Sequence, residues 1–308
     1  MTENILFQRS IISTQNISLK ELELIFATAK KFKENKQQRL LDNKIIAQCF
    51  FEPSTRTRLS FETAALRLGG ANIGFSSDES LSVQKGETLY DTIKVVSGYA
   101  DLIVIRHPRE GAAALAKEVA SCPVINAGDG ANQHPTQAIL DLFTIQECQK
   151  DINGLSIALV GDLKYGRTIH SFIQLCALFD VRLYLVSPES LSLPDEMCDS
   201  LKKTGVRFSF HQSLEEVIPK VDVMYLTRIQ QERFSASEYA FVRDKFITTA
   251  NLLTKAKPNL KILHPLPRVN EIERDVDNTP YAYYFQQVAN AVPVRQALLT
   301  LILNEQLP

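Results

Sequence analysis

Residues 44–68 read Lys44-Ile-Ile-Ala-Gln-Cys-Phe-Phe51, then Glu52-Pro-Ser-Thr-Arg-Thr-Arg58, then Leu59-Ser-Phe-Glu-Thr-Ala-Ala-Leu-Arg-Leu68. The first run is short, apolar and β-rich, which predicts a strand. A polar turn follows, and then a helix near 54–68. Working outward, the same alternation recurs. Strands are expected at Asp101–Arg106, Pro123–Asn126, Ser156–Val160, Val181–Val186, Val206–Phe210, Val221–Leu226 and Leu260–Leu263. Helices are expected at Gly111–Ala120, Pro135–Gln149, Thr168–Phe179, Pro194–Thr204, Leu214–Pro219, Ser237–Lys245 and Val294–Asn304. Alternating strand and helix predicts an α/β fold of parallel sheets covered on both faces. The polar stretch Lys150-Asp-Ile-Asn-Gly154 offers a boundary, so two such domains are expected, meeting near 135–154.

In open parallel sheets, ligands bind beyond the carboxyl ends of the strands. Six strands here are followed or ended by Arg or His: Arg56, Arg106, His134, Arg167, Arg228 and His264. If the two sheets face each other, these groups converge on one cleft between the domains.

The whole chain has 308 residues, 45% hydrophobic and 22% charged, as expected of a globular protein with a sizeable core. Lys plus Arg is 34 and Asp plus Glu is 35, a formal charge of −1. A general nucleic-acid binder is clearly basic, so any anion must be held by locally clustered cations. No membrane span or signal peptide is expected. The five cysteines are widely spaced, with no Cys-x-x-Cys, which argues against a disulfide framework or a zinc site and for reduced thiols in the cytoplasm.

Ser54-Thr-Arg-Thr-Arg58 stands where a strand gives way to a helix. The first helical turn exposes unpaired N–H groups. Hydroxyls and a guanidinium beside them make a phosphate-type anion site. The plainer alternative is an ordinary cap with solvated arginines. His134-Pro-Thr-Gln137 opens another helix and offers an imidazole and an amide to a ligand carbonyl or amide, or is simply a capping turn. Gly161-Asp-Leu-Lys-Tyr-Gly-Arg-Thr168 nearly matches a phosphate loop, but Arg167 stands where that motif needs Lys. An Arg at a helix start suits a carboxylate better. Lys85 is the one cation of the polar stretch Ser80–Thr88. In His264-Pro-Leu-Pro-Arg268 the prolines remove N–H donors and leave carbonyls to accept from an NH₂ group. No Gly-x-Ser-x-Gly elbow, His-Glu-x-x-His motif or Cys–His pair occurs. This inventory, rich in cations and poor in carboxylates, suits catalysis by positioning and charge stabilisation on a small anionic substrate pair.

These motifs resemble those of the aspartate and ornithine carbamoyltransferase family. Phe50-Phe-Glu-Pro-Ser-Thr-Arg-Thr-Arg58 resembles its carbamoyl-phosphate signature and His134-Pro-Thr-Gln137 its second shared motif. Lys85-Gly-Glu87 and His264-Pro-Leu-Pro-Arg268 are similar to the aspartate branch. The resemblance runs from about Leu6 to the C-terminus. It implies two doubly wound domains with the active site in the cleft between them: 1–135 plus 291–308 for carbamoyl phosphate, and 136–290 for L-aspartate.

By this resemblance Ser54, Thr55, Arg56 and Thr57 hold the phosphate. Thr57, Arg106 and His134 reach the carbonyl oxygen, and Gln137 with the carbonyls of Leu266 and Pro267 holds the NH₂ group. Arg167, Arg228 and Gln230 bind aspartate. Lys85 arrives from the neighbouring subunit of a homotrimer and touches both substrates. Glu52 and Arg233 pair across the closing domains. No metal or cofactor is implied. Residues 281–299 look closest to bacterial members that join a separate regulatory chain, which carries the zinc. Two departures from the pattern are Leu81, flanked by Ser80 and Ser82 where a loop serine belongs, and Pro53, where small residues also occur.

Overall fold

The computed structural model describes residues 4–35, 38–76, 86–229 and 246–308. They form two units: residues up to Leu140 together with Asn290–Pro308, and Asp141–Ala289.

The first unit opens with helix α1 (Leu19–Glu34), absent from the sequence-based reading. Its start is a capping box: Ser18 accepts from the Glu21 N–H, and Glu21 accepts from the Ser18 N–H. The strand and helix expected from residues 44–68 are β1 (Ile45–Phe50) and α2 (Thr55–Arg67). There follow β2 (Ala71–Ser76), α3 (Leu89–Val96), β3 (Leu102–His107), α4 (Ala112–Val119), β4 (Val124–Asp129) and α5 (Pro135–Gln149). Neither β2 nor α3 was expected. All strands are parallel, in the order β2-β1-β3-β4. Ala47, Cys49, Ile103 and Ile105 alternate toward one face and pack against Ile93, Ala113 and Ala116.

The second unit carries β5 (Ser156–Val160), α6 (Arg167–Cys176), β6 (Arg182–Val186), α7 (Asp195–Thr204), β7 (Arg207–His211), β8 (Val223–Leu226) and β9 (Lys261–Leu263). Its strands are also parallel, in the order β7-β6-β5-β8-β9. The helix expected at Leu214–Pro219 is only a 3₁₀ turn at Ile218–Lys220. Six residues are too few to nucleate an α-helix alone, and Pro219 lacks an N–H. The helix expected at Ser237–Lys245 lies outside the described residues.

The last helix, α8, spans Tyr284–Leu303 rather than Val294–Asn304. It begins ten residues earlier and runs through Pro293, so the proline does not mark its start. Residues 290–308 belong to the first unit. There the Gln8 N–H donates to the Ile302 carbonyl at 2.9 Å, and Asn4 Nδ2 donates to the Leu301 and Asn304 carbonyls at 2.8 and 2.7 Å. The buried Arg295 guanidinium stacks over Phe61 at 4.8 Å.

Each sheet has one point where the strand order reverses. In the first unit the chain runs from β1 to β2 on one side and returns to β3 on the other. In the second it runs β5, β6, β7 and returns to β8. Such switch points open crevices at the carboxyl ends of the strands. Every Arg or His singled out above follows or ends β1, β3, β4, β5, β8 or β9. None belongs to β2, β6 or β7.

Candidate functional site

The β1/β3 switch point is held by the Phe51 N–H donating to the Arg106 carbonyl at 2.8 Å. Ser54 occupies the N-cap of α2 in an extended conformation, yet its side chain makes no capping hydrogen bond, and the first turn holds no acidic residue. Ser54 thus stands at the cap position without capping, and its side chain leaves the first-turn N–H groups unsatisfied. Thr57 is buried in that turn.

The two arginines of the signature are not equivalent. Arg58 Nε is committed to Glu62 at 2.6 Å, one helical turn on. Arg56 reaches the surface, crowding lowers its pKa, and among the described residues no carboxylate acts on it. It remains charged, as arginine does throughout the ordinary pH range.

Arg106, half-buried at the end of β3, lies 2.7 Å from the Glu52 carboxylate through Nε. Glu52 was expected to face Arg233. Its observed ion pair is with Arg106, and Arg233 lies outside the described residues. His134 is buried at the mouth of α5, and Gln137 sits half-buried one turn on. The turn before His134 is built around the buried Asp129. Its carboxylate accepts from the N–H groups of Gly111 (3.0 Å) and Gln133 (3.2 Å) and from the side-chain amides of Asn126 (2.9 Å) and Asn132 (3.1 Å). Sequence reasoning passed over Asp129. Its only sequence signal is a turn-type Asp-Gly pair.

In the second unit Arg167 is the first residue of α6, and Arg228 follows β8. Both are half-buried. The near-phosphate-loop between them has another purpose. Gly161 has φ 112°, and a Cβ there would stand 2.3 Å from the Thr227 carbonyl. Only glycine lets the ends of β5 and β8 approach so closely. Asp162 turns back on the loop, accepting from the N–H groups of Lys164 (3.2 Å) and Tyr165 (2.9 Å). Two of the backbone donors that a phosphate loop would aim at its ligand are thereby occupied. Gly166, the N-cap of α6, has no side chain with which to cap the helix start beside Arg167, and a helix start favours negative charge.

The segment after β9 also departs from expectation. His264 follows β9 as expected, but it is buried and bonded within its own segment. Its Nε2 lies 2.7 Å from the Glu271 carboxylate, and its Nδ1 accepts from the Leu266 N–H at 2.8 Å. Pro265 and Pro267 have no N–H, and that of Leu266 is bonded. The backbone of residues 265–267 therefore has only carbonyl oxygens to offer a ligand. Burial pushes the Glu271 carboxyl up, but the His264 bond and the Val269 N–H outweigh this and hold it below its usual value. Arg268 is paired with Asp277 and Tyr284. Of the remaining expected site residues, Ser54, Thr55, Leu266 and Pro267 lie at these strand ends, while Lys85 and Gln230 lie outside the described residues, as do Ser80 and Ser82.

Comparison with known proteins gives the family. The family profile for the aspartate/ornithine carbamoyltransferase carbamoyl-P binding domain matches residues 9–147, and that for the Asp/Orn binding domain matches 153–302. The aspartate carbamoyltransferase catalytic subunit of Vibrio campbellii is 55% identical over 307 residues, 99% of each chain. That of Chromobacterium violaceum is 54% identical, over 97% of this chain and 99% of its own. Among solved structures, the catalytic subunit of M. jannaschii aspartate transcarbamoylase is 48% identical with a TM-score of 0.90, covering 95% of this chain and 97% of its own. The Trypanosoma cruzi enzyme in complex with carbamoyl phosphate and aspartate is 36% identical with a TM-score of 0.92, covering 97% and 96%. With both halves matched and the likeness extending across nearly its whole length, the chain belongs to the aspartate/ornithine carbamoyltransferase family.

Proposed function

We propose that the protein transfers the carbamoyl group of carbamoyl phosphate to the α-amine of L-aspartate, giving N-carbamoyl-L-aspartate and phosphate. The observation that carries this reading is the Ser54–Thr57 turn: a helix start without a side-chain cap, at the β1/β3 switch point, with an exposed Arg56 on which no carboxylate among the described residues acts. It suits a phosphate dianion. The unit carrying it takes carbamoyl phosphate through Ser54, Thr55, Arg56 and Thr57. The second unit takes aspartate through Arg167 and Arg228, with Gln230.

The deprotonated amine attacks the carbamoyl carbon. Negative charge builds on the carbonyl oxygen and is met by Thr57, Arg106 and His134. Gln137 and the Leu266 and Pro267 carbonyls hold the NH₂ group, so the carbon faces its attacker. The C–O bond to phosphate breaks, and the departing phosphate takes the amine proton. Glu52 and Arg233 act in domain closure.

The working form is a homotrimer in which Lys85 of one subunit enters the neighbouring site. Exposed apolar groups support an interface on the first unit: Leu59 and Leu66 on α2, and Ile73 on the edge strand β2. The enzyme serves pyrimidine synthesis in the cytoplasm. All five cysteines carry free thiols, and among the described residues no helix is long and apolar enough to cross a membrane. A separate zinc-bearing regulatory chain joins the trimer. Native mass measurement showing only a free trimer beside a candidate regulatory chain would end that part of the reading.

The test is a colorimetric assay of carbamoyl-amino-acid formation with aspartate and with ornithine. An ornithine acceptor calls for a carboxylate opposite its second amine. The second unit instead offers Arg167 and Arg228, to which the expected Lys85 of a neighbouring subunit would add, and such cations suit two carboxylates. Faster turnover with ornithine would overturn the proposal.

A further inference from the structure

We propose that Asp141, which touches no substrate in the scheme above, is a positioning residue. Its buried carboxylate ties the strand end carrying Arg228, the first turn of α6 behind Arg167 and the 264–268 turn into one frame. The inference rests on the transfer reaction proposed above and deepens it.

Asp141 lies in α5 and is fully buried. Its Oδ2 accepts from the Tyr225 hydroxyl at 2.7 Å, and its Oδ1 accepts from Gln287 Nε2 at 2.6 Å. Two branches leave this carboxylate.

The first runs through Tyr225, on β8 three residues before Arg228. The Tyr225 ring stacks on Phe172 of α6 at 5.1 Å, and its hydroxyl also meets the side chain of Thr168, the neighbour of Arg167. Burial and the Asp141 charge push the Tyr225 pKa well up, so the hydroxyl stays a donor to the carboxylate.

The second branch runs through Gln287 of α8. Its Oε1 accepts from the His264 N–H at 2.8 Å. A backbone N–H can only donate, so the amide is fixed with Nε2 toward Asp141. The branch continues through His264 Nδ1, which accepts from the Leu266 N–H at 2.8 Å. Nδ1 therefore carries no proton, and Nε2 donates to Glu271 at 2.7 Å. Each donor and acceptor along the path has one permitted orientation, so Asp141 sets the direction of the Leu266 and Pro267 carbonyls through two intermediaries. An apolar side chain of similar volume would fill this space without desolvating a carboxylate. What the carboxylate adds is orientation.

The branches can be cut separately. Tyr225→Phe removes one hydroxyl and keeps the stacked ring. Gln287→Met keeps the volume and removes the amide. Asp141→Asn keeps the shape but presents a donor to Tyr225 or to Gln287. Tyr225→Phe should raise the KM for aspartate on the order of fivefold while the KM for carbamoyl phosphate changes less than about twofold. Gln287→Met should lower kcat on the order of fivefold with the KM for aspartate changed less than about twofold. Asp141→Asn should show both effects, and if it does not fold, the two branch variants decide. Folded branch variants with unchanged constants, or the same change in every constant for both, would overturn the positioning role. A lowered melting temperature without the KM-against-kcat split would also overturn it. Failure of the unsubstituted chain to carbamoylate aspartate would instead overturn the transfer reading, and this inference with it.

Discussion

Arg56→Ala separates a binding cation from a structural one on the same helical turn. Among the described residues no carboxylate acts on Arg56, whereas Arg58 is committed to Glu62 at 2.6 Å. Removing Arg56 therefore breaks no described ion pair and places a better helix former in α2. Thermal stability should be unchanged or slightly higher. Bound carbamoyl phosphate would lose a charge-assisted bond worth about 1.5–3 kcal/mol. At about 1.4 kcal/mol per decade, that is a loss in affinity of roughly 10- to 150-fold. Arg58→Ala should instead cost about 0.3–0.5 kcal/mol of stability, as expected of a helical i, i+4 pair, and leave carbamoyl phosphate saturation intact. The assay is initial velocity against carbamoyl phosphate at saturating aspartate, with a melting curve for each variant. Unchanged saturation and turnover in Arg56→Ala, or a larger binding loss in Arg58→Ala, would refute the assignment of the anion site.

Arg228→Ala should raise the KM for aspartate tenfold or so, as expected for one lost charged contact; a selective loss of carbamoyl phosphate affinity, read by the same velocity curves, would contradict it. Lys85→Ala and Arg56→Ala trimers, each impaired at low carbamoyl phosphate, should regain activity there when dissociated and reassembled together, because some sites in the mixture combine two intact contributors; verified mixed trimers without such a gain would rule out a shared site. Stability should fall in two steps on acidification. Burial lowers the His170 pKa despite its 2.9 Å bond to the Leu163 carbonyl, so the unfolded chain binds more protons below about pH 6.5 and a shallow decline begins there. Glu271 and Asp277 are held below their usual values, Glu271 by His264 against burial and Asp277 chiefly by Arg268. Their contribution is full above about pH 4.3 and is lost as pH drops through the depressed folded values; urea melts showing constant stability from pH 7 to pH 3 would contradict both steps.

The strand-turn-helix reading of residues 44–68 is found as β1 and α2, because an apolar run, a polar turn and a helix start are local signals. The elements that escaped had weaker local signatures. Strand β2 is an edge strand with much of its surface exposed, so it lacks the continuous apolar run of a buried parallel strand. Helix α8 extends ten residues before the expected Val294; the apolar period that marks it lies at Ala297, Leu298, Leu301 and Ile302, while its first half contains the helix-disfavouring Pro293. Helix α1 did have a legible start, the Ser18–Glu21 capping box, and was overlooked.

By itself the sequence determined which residue types end which strands, and hence the expectation that Arg56, Arg106, His134, Arg167 and Arg228 serve an anion-handling chemistry. Adjacency along the chain suffices for that, because a strand's carboxyl end is set by chain direction. Tertiary structure decided how each side chain is used. Arg58 and His264 look like ligand groups in the sequence, yet Glu62 and Glu271 claim them. Gly161 looks like part of a phosphate loop, yet it exists to let Thr227 approach. Asp141 and Gln287 belong to no motif and Asp129 only to an Asp-Gly turn pair, yet each hydrogen-bonds groups in or beside the turns that carry candidate residues. Hydrogen bonds and ion pairs depend on distances of about 3 Å between groups that are often far apart in sequence, and only the folded chain sets those distances.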